Sequence, residues 1–280
     1  MPKTILITGC SSGIGLSAAH MLRERGWRVF ASARALRDVE RLHAEGFDAL
    51  LLDLDDSASI HAAMNTLLTR TGGRLDALFN NGAWGLPGAV EDLSRDALRA
   101  QFETNLFGWV ELTNLVIPVM RKQGHGRIVQ CSSVLGFAAF PYRGAYTASK
   151  FALEGLSDTL RMELRGSGIH ISLIEPGPIQ TRFRANAHAA FVRWISPANS
   201  AHAAQYQNQL ARLQKEGAAA PFTLPPEAVV KKLIHALESS RPRLRYRVTV
   251  PTIAFAWMKR FLPERWMDSL LIRASGDGQR

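Results

Sequence analysis

Cysteine is scarce in this chain: 280 residues hold only Cys10 and Cys131, far apart and without metal-type spacing. That excludes a disulfide framework and a cysteine-built zinc site, and it fits a reducing, cytoplasmic setting. Long apolar runs are missing too, since none approaches the ~20 residues a membrane-spanning helix needs. The short apolar run before Gly9 is likewise no signal peptide. Eight histidines are scattered without a paired-ligand pattern, so no metal site is expected. Acidic residues are lacking in one region: residues 181–280 carry 6 Asp and Glu against 16 Lys and Arg, whereas residues 1–180 carry 18 of each. The net charge of +10 therefore belongs to the last hundred residues. A neutral body with a basic appendage argues against a nucleic-acid-coating protein.

What is present is an α/β pattern, and at 46% hydrophobic residues the chain can bury one large core. Lys3–Thr8 reads as a buried strand that ends in Thr8-Gly9-Cys10-Ser11-Ser12-Gly13-Ile14-Gly15 and passes into a helix to about Arg25. Glycines at such a turn let backbone approach a ligand, and the helix N-terminus offers free N–H groups to a pyrophosphate. The second strand, Trp27–Ala33, ends where an NAD site places an acid on the adenosine ribose. Arg34 stands there instead, with Arg28 and Arg37 nearby and no acid before Asp38. A guanidinium suits a phosphate dianion, which predicts NADP(H) over NAD(H).

Strands over Asp48–Leu52, closing on Asp53-Leu54, and over Leu75–Phe79, closing on Asn80-Asn81-Gly82-Ala83, flank a helix over Ser57–Arg70. A long helix over Arg95–Lys122 carries Asn105, either a satisfied core amide or part of a site. A fifth strand, Gly126–Cys131, leads to Ser132-Ser133, and a sixth, Ile169–Ile174, leads through Glu175 to Pro176-Gly177-Pro178-Ile179-Gln180-Thr181. The alternation predicts a doubly wound, Rossmann-type parallel sheet with helices on both faces and the ligand beyond the strands' carboxyl ends.

Between the last two strands lies GAYTASK, Gly144–Lys150. On a helix, Tyr146 and Lys150 share one face. A cation beside a phenol favours its ionised form, so the Tyr146 pKa is expected to fall toward neutrality, which suits proton exchange with an alcohol or carbonyl oxygen.

Taken in order and spacing, TGCSSGIG, Asp53, NNGA, Asn105, Ser133, YTASK and PGPIQT resemble the short-chain dehydrogenase/reductase family over about residues 3–250. The family usually reads Asn-Asn-Ala-Gly where this chain reads Asn-Asn-Gly-Ala. The resemblance implies Tyr146 as general acid/base, Ser133 orienting the reacting oxygen, Lys150 tuning Tyr146 and holding the nicotinamide ribose, and Asn105 holding a proton-passing water. It implies cofactor contacts at Thr8, Gly9, Ser11, Ser12, Gly13, Ile14, Gly15, Arg34, Asp53, Leu54, Asn81, Gly82, Tyr146, Lys150, Pro176, Gly177, Ile179 and Thr181. A small carbonyl or alcohol substrate and a homodimer or homotetramer follow from the same resemblance. The rival reading is a sensor or scaffold that binds NADP without turnover; retention of Asn105, Ser133, Tyr146 and Lys150 together favours the enzyme.

We divide the chain into a core over 1–250, including a substrate lid over 182–240, and a basic, aromatic extension over 251–280. The lid holds Phe183, Phe191, Trp194 and Ile195, then an alanine-rich helix over Ala198–Lys215 and another from Pro225-Pro226-Glu227 to Leu237. An apolar lid suits a sterol-like, retinoid-like or long-chain substrate. Arg241, Arg243, Arg245 and Arg247 alternate in what reads as extended chain. Helical segments over Ile253–Leu262 and Glu264–Arg273 then set Trp and Phe beside Lys and Arg. That pattern fits a membrane surface, a second subunit or the protein's own body.

Overall fold

The computed structural model describes residues 2–214, 217 and 220–275. Seven strands form one sheet: β1 (Thr4–Ile7), β2 (Arg28–Ala33), β3 (Asp48–Leu51), β4 (Ala77–Asn80), β5 (Gly126–Cys131), β6 (Ile169–Pro176) and β7 (Arg245–Val248). Their order is β3-β2-β1-β4-β5-β6-β7, and every pairing is parallel. The central strands are apolar on both faces, as a sheet covered by helices on each side requires. Ile5, Leu6, Ile7, Phe79 and Ile174 are fully buried at the centre of the main core.

Before β5 the helices are α1 (Gly13–Glu24), α2 (Leu36–Ala44), α3 (Ser57–Thr71), α4 (Arg95–Phe102) and α5 (Gly108–Gln123). After it come α6 (Gly144–Glu163), α7 (Phe183–Trp194), α8 (Ala203–Gln214), α9 (Glu227–Glu238), α10 (Val250–Phe261) and α11 (Glu264–Ser275). Strand order reverses between β1 and β4, so the connections leave a crevice beyond the carboxyl ends there.

Three expectations shift. The long helix over Arg95–Lys122 is divided into α4 and α5 by a π-helical turn, Glu103–Phe107. The extra residue in that turn leaves both Thr104 and Asn105 buried, and such turns recur at functional sites. The alanine-rich helix starts at Ala203, after a 3₁₀ turn over Pro197–Asn199, and the expected end at Lys215 lies outside the described residues. The first tail helix starts at Val250, three residues earlier than expected, with Pro251 in its first turn, where a missing N–H costs nothing. Residues 276–280 of the extension lie outside the described residues.

Candidate active site

The sheet delivers each sequence motif to one rim. Thr8 and Gly9 follow β1, Asn81 and Gly82 follow β4, Ser132 and Ser133 follow β5, and Pro176 closes β6. The rim is tied across strands: the Thr8 hydroxyl accepts the backbone N–H of Asn81 and of Gly82 at 2.8 and 2.9 Å. The Asn81 amide donates back to the Thr8 and Gly9 carbonyls at 2.9 and 3.3 Å.

Glycine is required where these turns touch. Gly9 has φ +73°, and a Cβ there would lie 2.6 Å from Gly82 Cα; a Cβ on Gly15 would lie 2.3 Å from the Gly9 carbonyl oxygen. These close approaches leave a backbone-lined cradle at the start of α1, with Thr181 over Gly13 on its far side. A cleft of about 490 Å³ opens beside it, lined by Gly13, Leu16, Ser17, Gln180 and Thr181 among others. Such a cradle fits a dinucleotide pyrophosphate, which needs N–H groups and no side chains in its way. Asp53 caps the turn after β3, its carboxylate accepting the Asp55 N–H at 3.1 Å.

Arg34 stands just past β2, exposed, and makes no ion pair with any described residue. Sequence reasoning missed Arg41. One turn farther along α2 than Arg37, it donates to the Ser11 carbonyl at 2.8 Å and pairs with Glu45 at 2.9 Å, so it braces the glycine turn.

Tyr146 and Lys150 lie one turn apart on α6, and both are buried. The Ser133 side chain lies close enough to the Tyr146 phenol to lower its pKa. Ser133 also caps the 3₁₀ turn that follows it, accepting the Leu135 N–H at 3.1 Å. The Lys150 ammonium donates to the Cys131 carbonyl at 2.9 Å. Asn105 Nδ2 donates to the Trp84 carbonyl at 2.8 Å while its Oδ1 accepts the Trp84 N–H at 3.2 Å, and Nδ2 also reaches Ser149. The asparagine side chain is thus committed to holding Trp84 and α6 in register.

Residues 3–190 match the family described as short chain dehydrogenase. This chain belongs to the short-chain dehydrogenase family. It is 46% identical to the uncharacterized oxidoreductase YbbO of Escherichia coli strain K12 across 97% of this chain and 94% of that protein. It is 34% identical to human retinol dehydrogenase 8 across 89% of this chain and 82% of that one. A crystal structure of a short-chain dehydrogenase from Streptomyces avermitilis superposes with a TM-score of 0.78 at 28% identity, covering 100% and 98% of the two chains.

Electrostatics in this short-chain dehydrogenase correct one expectation. The Tyr146 pKa is raised, not lowered: burial is the main cause, Cys131 adds to it, and the neighbouring Ser133 side chain only opposes it. Burial likewise brings the Lys150 ammonium down to about 8, against the pull of Cys131 and Glu154. In sequence the lysine looks like a charge aimed at the phenol. In space its Nζ lies 5.6 Å from the centre of the phenol ring, and its hydrogen bond goes to Cys131. Neither thiol competes as a nucleophile: burial pushes Cys131 up to about 11 and Cys10 up to about 12.

The apolar wall comes from α7 and the loop after β4. Phe183 meets Tyr146 edge to face, ring centres 5.3 Å apart. A Cβ on Gly85 would fall 2.7 Å from Phe183, so that glycine lets the phenylalanine close over the site. Behind it Leu86, Ala145, Phe191, Ile195 and Tyr206 form a second apolar cluster, with Trp84, Tyr142 and Trp194 packed around it. Phe183, Phe191, Trp194 and Ile195, expected in a lid, fall on α7 and just after it; Trp84 and Gly85 were not singled out in the sequence.

Proposed function

We propose that this short-chain dehydrogenase transfers hydride between NADP(H) and a carbonyl or alcohol of a lipophilic substrate. The observation that carries the reading is the buried Tyr146 beside Ser133, which follows β5, with Lys150 one turn away on the same helix. The residues that would hold the cofactor are Thr8, Gly9 and the Ser11–Gly15 turn, Asp53, Leu54, Asn81, Gly82, Lys150, and Pro176, Gly177, Ile179 and Thr181. Arg34 takes the 2′-phosphate, because an exposed guanidinium with no ion-pair partner among the described residues suits a dianion.

The bound nicotinamide supplies or accepts the hydride; the protein's part is placement and the proton. During reduction Tyr146 gives its proton to the carbonyl oxygen, and during oxidation it takes one from the alcohol. Its raised pKa keeps it protonated at neutral pH, the form reduction needs. Ser133 donates to the same oxygen and fixes its direction. Lys150, held by the Cys131 carbonyl, puts a positive charge beneath the phenol and stabilises the phenolate formed when the proton leaves.

The lid over 182–240 supports a lipophilic substrate, since Phe183 and the cluster behind it offer an apolar wall and few polar anchors. The relative named for retinol supports the same class. Phe151, Leu156 and Met162 are exposed along α6, apolar surface that a homodimer or homotetramer built on this helix would cover. The free, buried Cys10 and Cys131 suit the cytoplasm.

The test is a panel of retinoid-like, sterol-like and long-chain aldehydes, ketones and alcohols, followed by nicotinamide absorbance with each cofactor. NADPH-dependent turnover that rises with substrate apolarity is expected. Tight NADPH binding without turnover on any member would favour the sensor or scaffold.

A further inference from the structure

The last two helices carry an apolar face that no described residue covers. Only Thr252 is buried in α10, although most of its residues are apolar. Val250, Ile253, Trp257 and Phe261 recur at helical spacing and form one stripe, each between 45% and 69% exposed. Trp257 lies flat against Phe261, ring centres 5.9 Å apart and planes 6° apart, so the two make a single aromatic plate. Trp266 adds a third ring, 67% exposed, at the start of α11.

The opposite side of the pair is fastened to the body. Met267 and Leu271 bury themselves on Ala138, with Phe137, Phe140, Phe255 and Met258 packed around them. Phe140 and Phe255 meet edge to face at 5.5 Å. The stripe is thus the outer face of a seated helix.

Beside the aromatic plate is a cleft of about 370 Å³ lined by Arg245, Arg247, Trp257, Lys259, Arg260 and the buried Glu154 and Glu175, among others. Its charges sort into two groups. Arg245 and Arg247 are matched by Glu154, Asp158 and Glu175 through four ion pairs at 2.6–3.1 Å. Lys259 and Arg260 have no carboxylate partner among the described residues; Lys259 bonds the Phe137 carbonyl. On α11, Arg265 and Arg273 are equalled in number by Glu264 and Asp268. The positive charge without a carboxylate partner therefore sits at Lys259, which also lies over the Phe151 ring, and at Arg260, both lining the cleft that Trp257 borders.

We propose that this face docks on an anionic phospholipid bilayer. Trp257, Phe261 and Trp266 enter the boundary between headgroups and acyl chains, and Lys259 and Arg260 meet lipid phosphates. The pairing of exposed Trp and Phe with unmatched cations is what an interfacial helix needs. No described helix is long and apolar enough to cross a membrane, so the pair lies on the surface. A second copy of the chain fits this face less well, because a two-fold contact would set Lys259 and Arg260 against the same cations of its mate. The inference rests on this surface alone and does not depend on the chemistry assigned to Tyr146.

The test is co-sedimentation of the full chain with vesicles of phosphatidylcholine alone and of phosphatidylcholine mixed with phosphatidylglycerol, at low and high salt. Binding to the mixed vesicles is expected to exceed binding to the neutral ones by about tenfold at low salt and to collapse at high salt. Lys259→Gln with Arg260→Gln should remove about tenfold of that binding. Trp257→Ala with Phe261→Ala should remove it while thermal melting stays within a few degrees of the parent. Equal binding to both vesicle types, no binding to either, or a parent oligomer that the Trp257 and Phe261 changes dissociate would each overturn the proposal.

Discussion

The Lys150 ammonium sits 4.1 Å from the centre of the Trp109 indole, and both side chains are fully buried. Trp109 is itself fixed by its Nε1, which donates to the Gly82 carbonyl at 2.8 Å. One indole therefore joins the turn after β4 to the lysine of the active site. A ring face stabilises a desolvated cation by about 2 kcal/mol, which opposes the burial that brings Lys150 down to about 8. Trp109→Leu removes that support, so the lysine should lose its proton about one pH unit lower. The check is the alkaline limb of kcat/KM for carbonyl reduction: it should move down in Trp109→Leu and much less in Trp109→Phe, which keeps a ring. An unmoved limb in Trp109→Leu would dismiss the indole as mere packing.

The same limb assigns the titrating group. Tyr146 is pushed up by burial and stays protonated across the working range, whereas Lys150 loses its charge near 8. Reduction should therefore slow as pH rises through about 8, and the group responsible is the lysine. Tyr146→Phe should lose at least ~100-fold in turnover and keep cofactor binding. Turnover within a few-fold of the parent would remove Tyr146 from its role.

Lys150 also links activity to stability. Its folded pKa lies below the ordinary lysine value of 10.5, so the folded state resists the charged form. That penalty is fully present below about 8 and is relieved as pH rises from there toward 10.5. Replacing the charge with an apolar chain of similar length removes it, at the cost of the hydrogen bond to Cys131. Lys150→Met should melt no lower than the parent at pH 7 while losing turnover by ~100-fold or more. A melting point several degrees lower would mean that the buried charge is a net support of the fold.

Cofactor choice separates two arginines. Arg34 is exposed and unpaired among the described residues, while Arg41 is spent on the Ser11 carbonyl and on Glu45. Arg34→Ala should lower kcat/KM with NADPH by ~10- to 100-fold and leave NADH within a few-fold, since the loss is of a charge-assisted bond to one phosphate. Arg41→Ala should weaken both cofactors alike, because it loosens the turn they share. Equal losses in Arg34→Ala would end its assignment as the selector.

Much of this molecule was legible because parallel strands announce themselves twice, by apolar runs and by the motifs at their carboxyl ends. The fifth strand, Gly126–Cys131, matches its predicted bounds, and the ties between Thr8, Asn81 and Gly82 join motifs that are 72–74 residues apart. What failed depends on three-dimensional surroundings. A π turn at Asn105 has no signature in periodicity, and the raised pKa of Tyr146 follows from desolvation that spacing alone does not report. Trp84 and Trp109 belong to no sequence motif, and only their partners tie them to the site. Ser133 was found because family order marks it, while the seat of Lys150 on the Cys131 carbonyl was invisible.

The segment proposed as a substrate lid has its own anchor, separate from the chemistry proposed for Tyr146. Tyr206 on α8 is fully buried, donates its hydroxyl to the Asp92 carboxylate and accepts the Ala89 N–H at 2.9 Å. Ser200 and Tyr206 together hold Asp92 below the usual carboxylate range. Tyr206 also packs edge to face on Phe191 of α7 at 5.1 Å, so one side chain fastens α7 and α8 to the loop before α4. Tyr206→Phe keeps the ring and removes only the hydroxyl. It leaves the buried Ala89 N–H without its partner, a loss of about 1–3 kcal/mol in stability. With Phe183 over Tyr146 untouched, the expected kinetic result is a raised KM for the apolar substrate with kcat within a few-fold of the parent. A kcat that falls as far as KM rises would mean that the anchor positions the reacting groups as well as the lid.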